Sequence, residues 1–204
     1  MLQGLIALRF RALVTLSILA LLMAGCGGDR GSYTAANQAD CLPAITLTDQ
    51  FGQPLTLSTL RGKPVLVDFI YTQCPGPCLL LTQKMAAVAR RLGPAVGSKI
   101  ALLSIDIDPE HDSPDQLAEY IKRQDAEANG WHFVTGSPAE IDQLLRKFQL
   151  AREREKDGSV AHVAGIFLLG PDGKEVREYD GKIVKVSLLA DEVEQMVATS
   201  PVRG

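Results

Sequence analysis

Short runs of aliphatic and β-branched residues alternate with stretches of helical period, and this alternation leaves few folds open. Val65–Ile70 (VLVDFI) and residues 100–107 are apolar runs bounded by turn residues, and read as buried strands. Between them, residues 75–91 carry Leu79, Leu80, Met85, Val88 and Ala89 at helical spacing, with Leu92 next, and Gly93-Pro94 ends the helix. Ser113-Pro114 places a capping residue before a helix-starting proline, which predicts a helix to about Arg123. Trp131 to Val134 reads as a short strand. Ser137 and Glu140 have capping-box spacing and open a helix through Phe148. Gly165–Leu169 is a strand, Pro171-Asp172-Gly173 a turn, Glu175 to Tyr179 a returning strand, and residues 186–197 a closing helix. Upstream, Ile45 to Thr48 and Pro54 to Leu57 alternate around Asp49 to Gly52, which predicts a small hairpin. Strands alternating with helices require a mainly parallel sheet covered on both faces. The simplest fold with this order is α/β, a thioredoxin-like three-layer sandwich with an N-terminal β-hairpin.

Composition narrows the function classes. The 204 residues are 46% hydrophobic and 22% charged, which excludes a disordered chain, a fibre and a multi-span membrane protein. A formal net charge of −3 argues against a nucleic-acid partner held by a basic surface. Four cysteines are too few for a disulfide scaffold and enough for one redox or metal site.

The first residues read as an address. Arg9 and Arg11 precede an apolar stretch from Ala12 to Met23, broken only by Thr15 and Ser17. Such a stretch is too short to span a bilayer, which needs about 20 residues, and suits a signal peptide. Ala24-Gly25-Cys26 resembles a bacterial lipobox, which implies cleavage before Cys26 and lipidation of its thiol. A plain signal peptide, and an uncleaved anchor extended by Leu2 to Leu8, are the alternatives. All three put the rest of the chain outside the cytoplasm, where thiols face oxidation. The expected organisation is a signal peptide over residues 1–25, a small polar tether over 26–40 and one folded domain over 41–204. The expected place is the periplasmic side of a bacterial membrane, held by a lipid anchor.

Cys74-Pro-Gly-Pro-Cys78 joins the first core strand to the first long helix. A helix N-terminus carries partial positive charge and favours thiolate over thiol, which predicts lowered pKa values for this pair. Two residues four apart on a helix have Cβ atoms about 5–6 Å apart, whereas a disulfide wants about 3.5–4.5 Å. The spacing therefore suits a shared soft metal without excluding a disulfide. Two thiolates select Cu(I), zinc or an iron–sulfur cluster. Structural zinc wants four ligands and iron–sulfur clusters usually four cysteines, but the domain adds only Cys41, so copper fits best. A structural disulfide, or two inert buried thiols, is the bland alternative. Among the histidines, His111 lies in an acidic loop and reads as solvated, and His132 reads as packed on a short strand. His162 precedes the Gly165–Leu169 strand, whose entering loop faces the cysteine turn in a thioredoxin-like sheet. Cys41 reads as a packed small residue, with an intermolecular or resolving role as the alternative.

Three blocks of sequence resemble the Sco/SenC family, copper-binding assembly factors for cytochrome c oxidase. They are Asp68-Phe-Ile-Tyr-Thr72-Gln-Cys74-Pro-Gly-Pro-Cys78, Ser104-Ile-Asp106 and Asp108-Pro-Glu-His-Asp112-Ser-Pro with the helix after it, and His162-Val-Ala-Gly-Ile-Phe-Leu168 with its turn at Gly173. The likeness runs from about Ile45 to Val197. It implies a copper site of Cys74, Cys78 and His162, taking Cu(I), Cu(II) or both. It also implies delivery to a cytochrome c oxidase subunit or another cuproprotein, with thiol–disulfide oxidoreductases as further partners. The sequence departs from the family pattern in Leu79 for a frequent proline, Ala161 for a frequent aspartate and His111 for a frequent arginine. A second function stays open: a thiol–disulfide reductase that uses Cys74 and Cys78 as its redox pair. A copper or redox sensor is a weaker third reading.

Overall fold

The computed structural model describes residues 42–161 and 164–199. The expected signal peptide and tether, and Cys26, Cys41 and His162, lie outside the described residues. The apolar runs form the strands that their composition demands. Strand β1 spans Thr46–Asp49, β2 Pro54–Thr56, β3 Val65–Ile70, β4 Ala101–Asp106 and β5 Trp131–Thr135. Then come β6 at Glu153–Arg154, β7 at Val160–Ala161, β8 at Gly165–Leu169 and β9 at Glu175–Asp180. The helices are α1 at Pro77–Leu92, α2 at Pro114–Arg123, α3 at Pro138–Lys147 and α4 at Val186–Thr199.

Seven strands form one sheet in the order β2-β1-β5-β4-β3-β8-β9. The central β3, β4 and β5 run parallel, while β8 and β9 are antiparallel at one edge. Every residue of β3 and β4 is buried, as expected for strands covered on both faces. On one face, Phe148 after α3 stacks edge-on against Phe69 and Phe167 at centroid distances of 5.1 and 5.0 Å. On the other face lie α1 and α2, joined by a 2.8 Å hydrogen bond between Thr82 and Tyr120. Alongside α1 lies α4, with Arg91 bridging Asp191 and Glu194. The α/β sandwich read from the sequence is thus the observed architecture.

Both capping boxes are present, Ser113 with Gln116 and Ser137 with Glu140. Helix α1 begins at Pro77, two residues later than its periodicity suggests. Pro75 lies outside it because Gly76 adopts a non-helical conformation at the N-cap. Leu57 leaves the hairpin and opens a 3₁₀ turn, Leu57–Leu60, with Leu57 and Leu60 buried. Two features carry no local sequence signal. The N-terminal hairpin joins the main sheet through β1 and β5, with Thr48 opposite Thr135. A second small hairpin, β6–β7, precedes His162 in the chain. At the start of β5, Gly130 is required by close approach: a Cβ there would stand 2.1 Å from Gly97 Cα, and its φ is +82°.

Candidate metal and thiol site

Strand β3 ends at Ile70, and the chain turns through Tyr71 to Cys74 before α1 begins. The turn is closed by the Cys74 N–H donating to the Tyr71 carbonyl at 3.3 Å. The Cys78 N–H then donates to Cys74 Sγ at 3.3 Å, so the first sulfur caps the helix that carries the second. Neither side chain is in a disulfide, and Cys74 is half-buried and Cys78 fully buried. They lie within hydrogen-bonding reach of each other, and the Tyr71 backbone amide supports Cys78. The placement read from the sequence, with Cys74 in the turn and Cys78 in the first helical turn, is the one observed.

The expected acidity is not observed for Cys78. Burial pushes its thiol well above the ordinary value, and the neighbouring Cys74 adds to the rise. The helix end is present, but desolvation of a thiolate outweighs it at a fully buried sulfur. Cys78 therefore rests as a neutral thiol and must give up a proton to bind a metal.

Tyr71 links the cysteines to the approach of the third candidate ligand. Its hydroxyl accepts the Val160 N–H at 3.2 Å and shares a hydrogen bond with Cys74, while burial raises its pKa. Val160 lies two residues before His162 in sequence. On the other side of His162, the Ala164 carbonyl accepts the Gly181 N–H at 2.7 Å. Gly181 packs so tightly that a Cβ would stand 2.1 Å from Leu81 Cδ2, on the same helix as Cys78. Lys84 ties the 181–184 segment down through three carbonyls, those of Gly181, Lys182 and Val184. The chain on either side of His162 is thus anchored to α1 or to the turn before it. Among the described residues, no three His, Cys, Asp or Glu side chains come together in a way that would hold a metal.

Two further groups shape the turn. Asp112 accepts both the Thr72 N–H at 2.6 Å and the Thr72 hydroxyl at 2.5 Å, fixing the residue between Tyr71 and the cysteines. Asp106 accepts from the Thr135 hydroxyl at 2.7 Å and the Asp108 N–H at 2.9 Å. Burial and the neighbouring Asp112 nevertheless raise its pKa. Beneath the site, Asp68 is fully buried, and burial pushes its pKa up to about 7. Its Oδ1 accepts from Ser104, which in turn accepts from the Trp131 indole at 3.0 Å, while Oδ2 has no hydrogen-bond partner among the described residues.

The other histidines lie elsewhere. His132 is partly buried on β5, and burial lowers its pKa. It lines a cleft of about 550 Å³ with Phe51, Ile121 and Trp131, which shares no residue with the cysteine turn. His111 is exposed, as expected, but its Nδ1 stands 2.9 Å from Arg154 Nη2. The sequence alone did not single out Arg152 or Arg154, nor the roles of Asp106, which stands in the Ser104-Ile-Asp block, and of Tyr71, Thr72 and Asp112. The last three stand in the quoted motif blocks; the two arginines flank Glu153 with no periodic or motif signal.

Fold and site together define a thioredoxin-like protein with a pair of cysteines at the start of its first long helix. The chain belongs to the SCO1/SenC family, whose model matches residues 34–198. A protein of Stutzerimonas stutzeri named "Putative copper-binding protein" is 32% identical over 71% of this chain and 72% of its own. The structure of Bradyrhizobium japonicum ScoI with copper bound is 28% identical, with a TM-score of 0.67 over 76% of this chain and 99% of that one. The structure reported as "Identification of a disulfide switch in BsSco, a member of the Sco family of cytochrome c oxidase assembly proteins" is similar at 28% identity. Its TM-score is 0.68 over 78% of this chain and 94% of that one.

Proposed function

We propose that this protein is an extracytoplasmic copper carrier. In this reading it binds copper through Cys74, Cys78 and His162 and delivers it to a cytochrome c oxidase copper centre. Copper is its cargo. The observation that carries the reading is the adjacency of two cysteine sulfurs at one helix start, with Tyr71 hydrogen-bonded both to Cys74 and to Val160. A relative named for copper binding and a copper-bound relative support the choice of metal. Two soft sulfurs and one imidazole suit copper, and a three-coordinate site leaves room for an incoming thiolate or imidazole to replace one ligand at a time. Cys78 sits in the first turn of α1 and Cys74 in the hydrogen-bonded turn just before it, so both sulfurs are held and the imidazole is the ligand that exchanges. Residues 1–25 act as a lipoprotein signal peptide, lipidated Cys26 anchors the chain and residues 26–40 tether the copper-binding domain, 41–204. Among the described residues, no helix is long and apolar enough to cross a membrane.

The test is the copper content of the anaerobically purified full chain. Wild type should carry about one copper per chain, the Cys74→Ser/Cys78→Ser variant none, and His162→Ala should bind more weakly while staying folded. A His162→Ala protein with unchanged Cu(I) affinity would remove the imidazole from the site.

A second reading has its own support in the half-buried Cys74 beside the buried Cys78. As a thiol–disulfide reductase, the Cys74 thiolate attacks a target disulfide, and Cys78 then displaces the reduced target, leaving a Cys74–Cys78 disulfide. Disulfide reduction that persists in His162→Ala, in a protein that binds no copper, selects this reading.

A further inference from the structure

The β6–β7 hairpin has little apolar hold on the rest of the molecule. Both β6 residues, Glu153 and Arg154, are exposed, and Val160 is the buried residue of β7. Its turn is closed internally, by the Glu155 N–H to the Ser159 carbonyl at 2.8 Å and by Ser159 to Asp157. Besides buried Val160, whose N–H donates to the Tyr71 hydroxyl at 3.2 Å, the contacts that join the hairpin to the body are charged. Arg154 Nη2 pairs with Asp108, which is only 3% exposed, and donates to His111 Nδ1 at 2.9 Å. Its other nitrogen, Nη1, returns to the Gly158 carbonyl at 2.8 Å, so one side chain spans hairpin and body. Arg152 grips the same loop with both ends of Glu110, at 2.7 and 2.9 Å. It also donates to the Ile107 carbonyl at 3.0 Å and to Asp142 on α3 at 2.8 Å.

The loop being gripped, residues 107–112, is also the one that holds the cysteine turn. Its far end is Asp112, bound to Thr72, and the Asp112 N–H donates to the Asp108 carbonyl at 2.9 Å. One short acidic loop therefore touches both the turn that carries Cys74 and the hairpin that precedes His162. We infer that Arg154, seconded by Arg152, is a positioning residue for the copper site, fixing the hairpin that leads into His162 relative to the two cysteines. The inference rests on His162 being a ligand, as proposed above. Arginine is needed for the geometry: a guanidinium donates from two nitrogens in a fixed fork, whereas an ammonium is a single point of charge. Groups that orient a metal ligand from outside its coordination shell typically change metal affinity about 10- to 100-fold when removed.

The test uses the full chain with Arg154→Ala, Arg154→Lys, His162→Ala and the Arg154→Ala/His162→Ala double variant. Arg91→Ala, whose partners Asp191 and Glu194 lie on α4, serves as the control. Two quantities are read: amide hydrogen exchange at Val160 and Ala161 in the metal-free protein, and Cu(I) affinity by competition with a chromophoric chelator. Arg154→Ala should speed exchange at both amides and weaken Cu(I) binding about 10-fold or more. Arg154→Lys should fall between it and wild type, and Arg91→Ala should do neither. In the His162→Ala background, Arg154→Ala should cost no further affinity, because the ligand it positions is gone. Unchanged exchange in Arg154→Ala overturns the inference. So does an equal loss of affinity with and without His162, which would route the effect through the cysteine turn. If His162→Ala alone leaves affinity unchanged, the ligand assignment itself fails. The exchange data then separate that failure from a hairpin that Arg154 does not hold.

Discussion

At Cys78 two influences on a thiol oppose each other. The start of α1 favours the thiolate, and complete burial disfavours it more strongly, so the sulfur stays protonated until something replaces the proton. Asp68 is a second buried acid in conflict with its surroundings, with one oxygen bound to Ser104 and the other without a partner among the described residues. Its pKa stands at about 7 against an ordinary 3.8, so the folded state binds a proton that the unfolded state has already released in this interval. Stability should therefore fall as pH rises from about 4 to about 7, by up to about 1.4 kcal/mol per pH unit from this one group. Asp68→Asn should flatten that part of the stability–pH curve, as measured by urea unfolding at a series of pH values. A curve of unchanged slope would mean that Asp68 titrates normally. Thr72 presents the reverse case, a hydroxyl whose partner is a buried carboxylate. Thr72→Val removes one of the two donors to Asp112 and should cost about 1.5–3 kcal/mol at neutral pH, read in the same unfolding assay.

The helices owe their starts to local chemistry. Ser113 and Ser137 each accept from the backbone N–H three residues on, and Gln116 and Glu140 return the bond to the capping residue's own N–H. Ser137→Ala should cost about 1 kcal/mol. Since α2 and α3 lie on opposite faces of the sheet, adding Ser113→Ala should lower stability by a further, roughly additive amount. A double variant far from the sum would mean that the two helices are coupled through the strands between them. The small β6–β7 hairpin is the opposite kind of element: it has two residues per strand and exposed side chains along β6. An element of that size is not stable alone, and here arginines reaching the 107–112 loop hold it.

At the scale of the molecule, copper binding and stability are linked. A ligand that binds only the folded state adds stability, about 2.7 kcal/mol when its concentration is 100 times its dissociation constant. Under the proposed function, Cu(I) should therefore raise the unfolding temperature of wild type and leave the Cys74→Ser/Cys78→Ser variant unchanged. Because the raised Cys78 thiol must lose its proton to bind, Cu(I) affinity should climb with pH through the neutral range. The climb should be roughly tenfold per pH unit for each proton displaced, as measured by chelator competition. An affinity independent of pH would mean that no protonated thiol is displaced.

Much of the fold was written locally. The apolar runs that became β3, β4 and β8, the two capping boxes, and the placement of Cys74 before Cys78 on one helix start depend on neighbours within a few positions. The chain's period and turn residues therefore sufficed to find them. The join between β1 and β5, the hold of Asp112 on Thr72, and the arginine grip on the 107–112 loop link residues some forty to ninety positions apart. Nothing in the local sequence marks one charged or polar residue as the partner of another at that distance. Only folding, which brings the ends of β3, β4 and β5 side by side, decides which carboxylates become buried and which side chains reach them. The acidity of the Cys78 thiol was decided in the same way, because a helix end can be read from sequence, whereas the depth at which its sulfur is buried cannot.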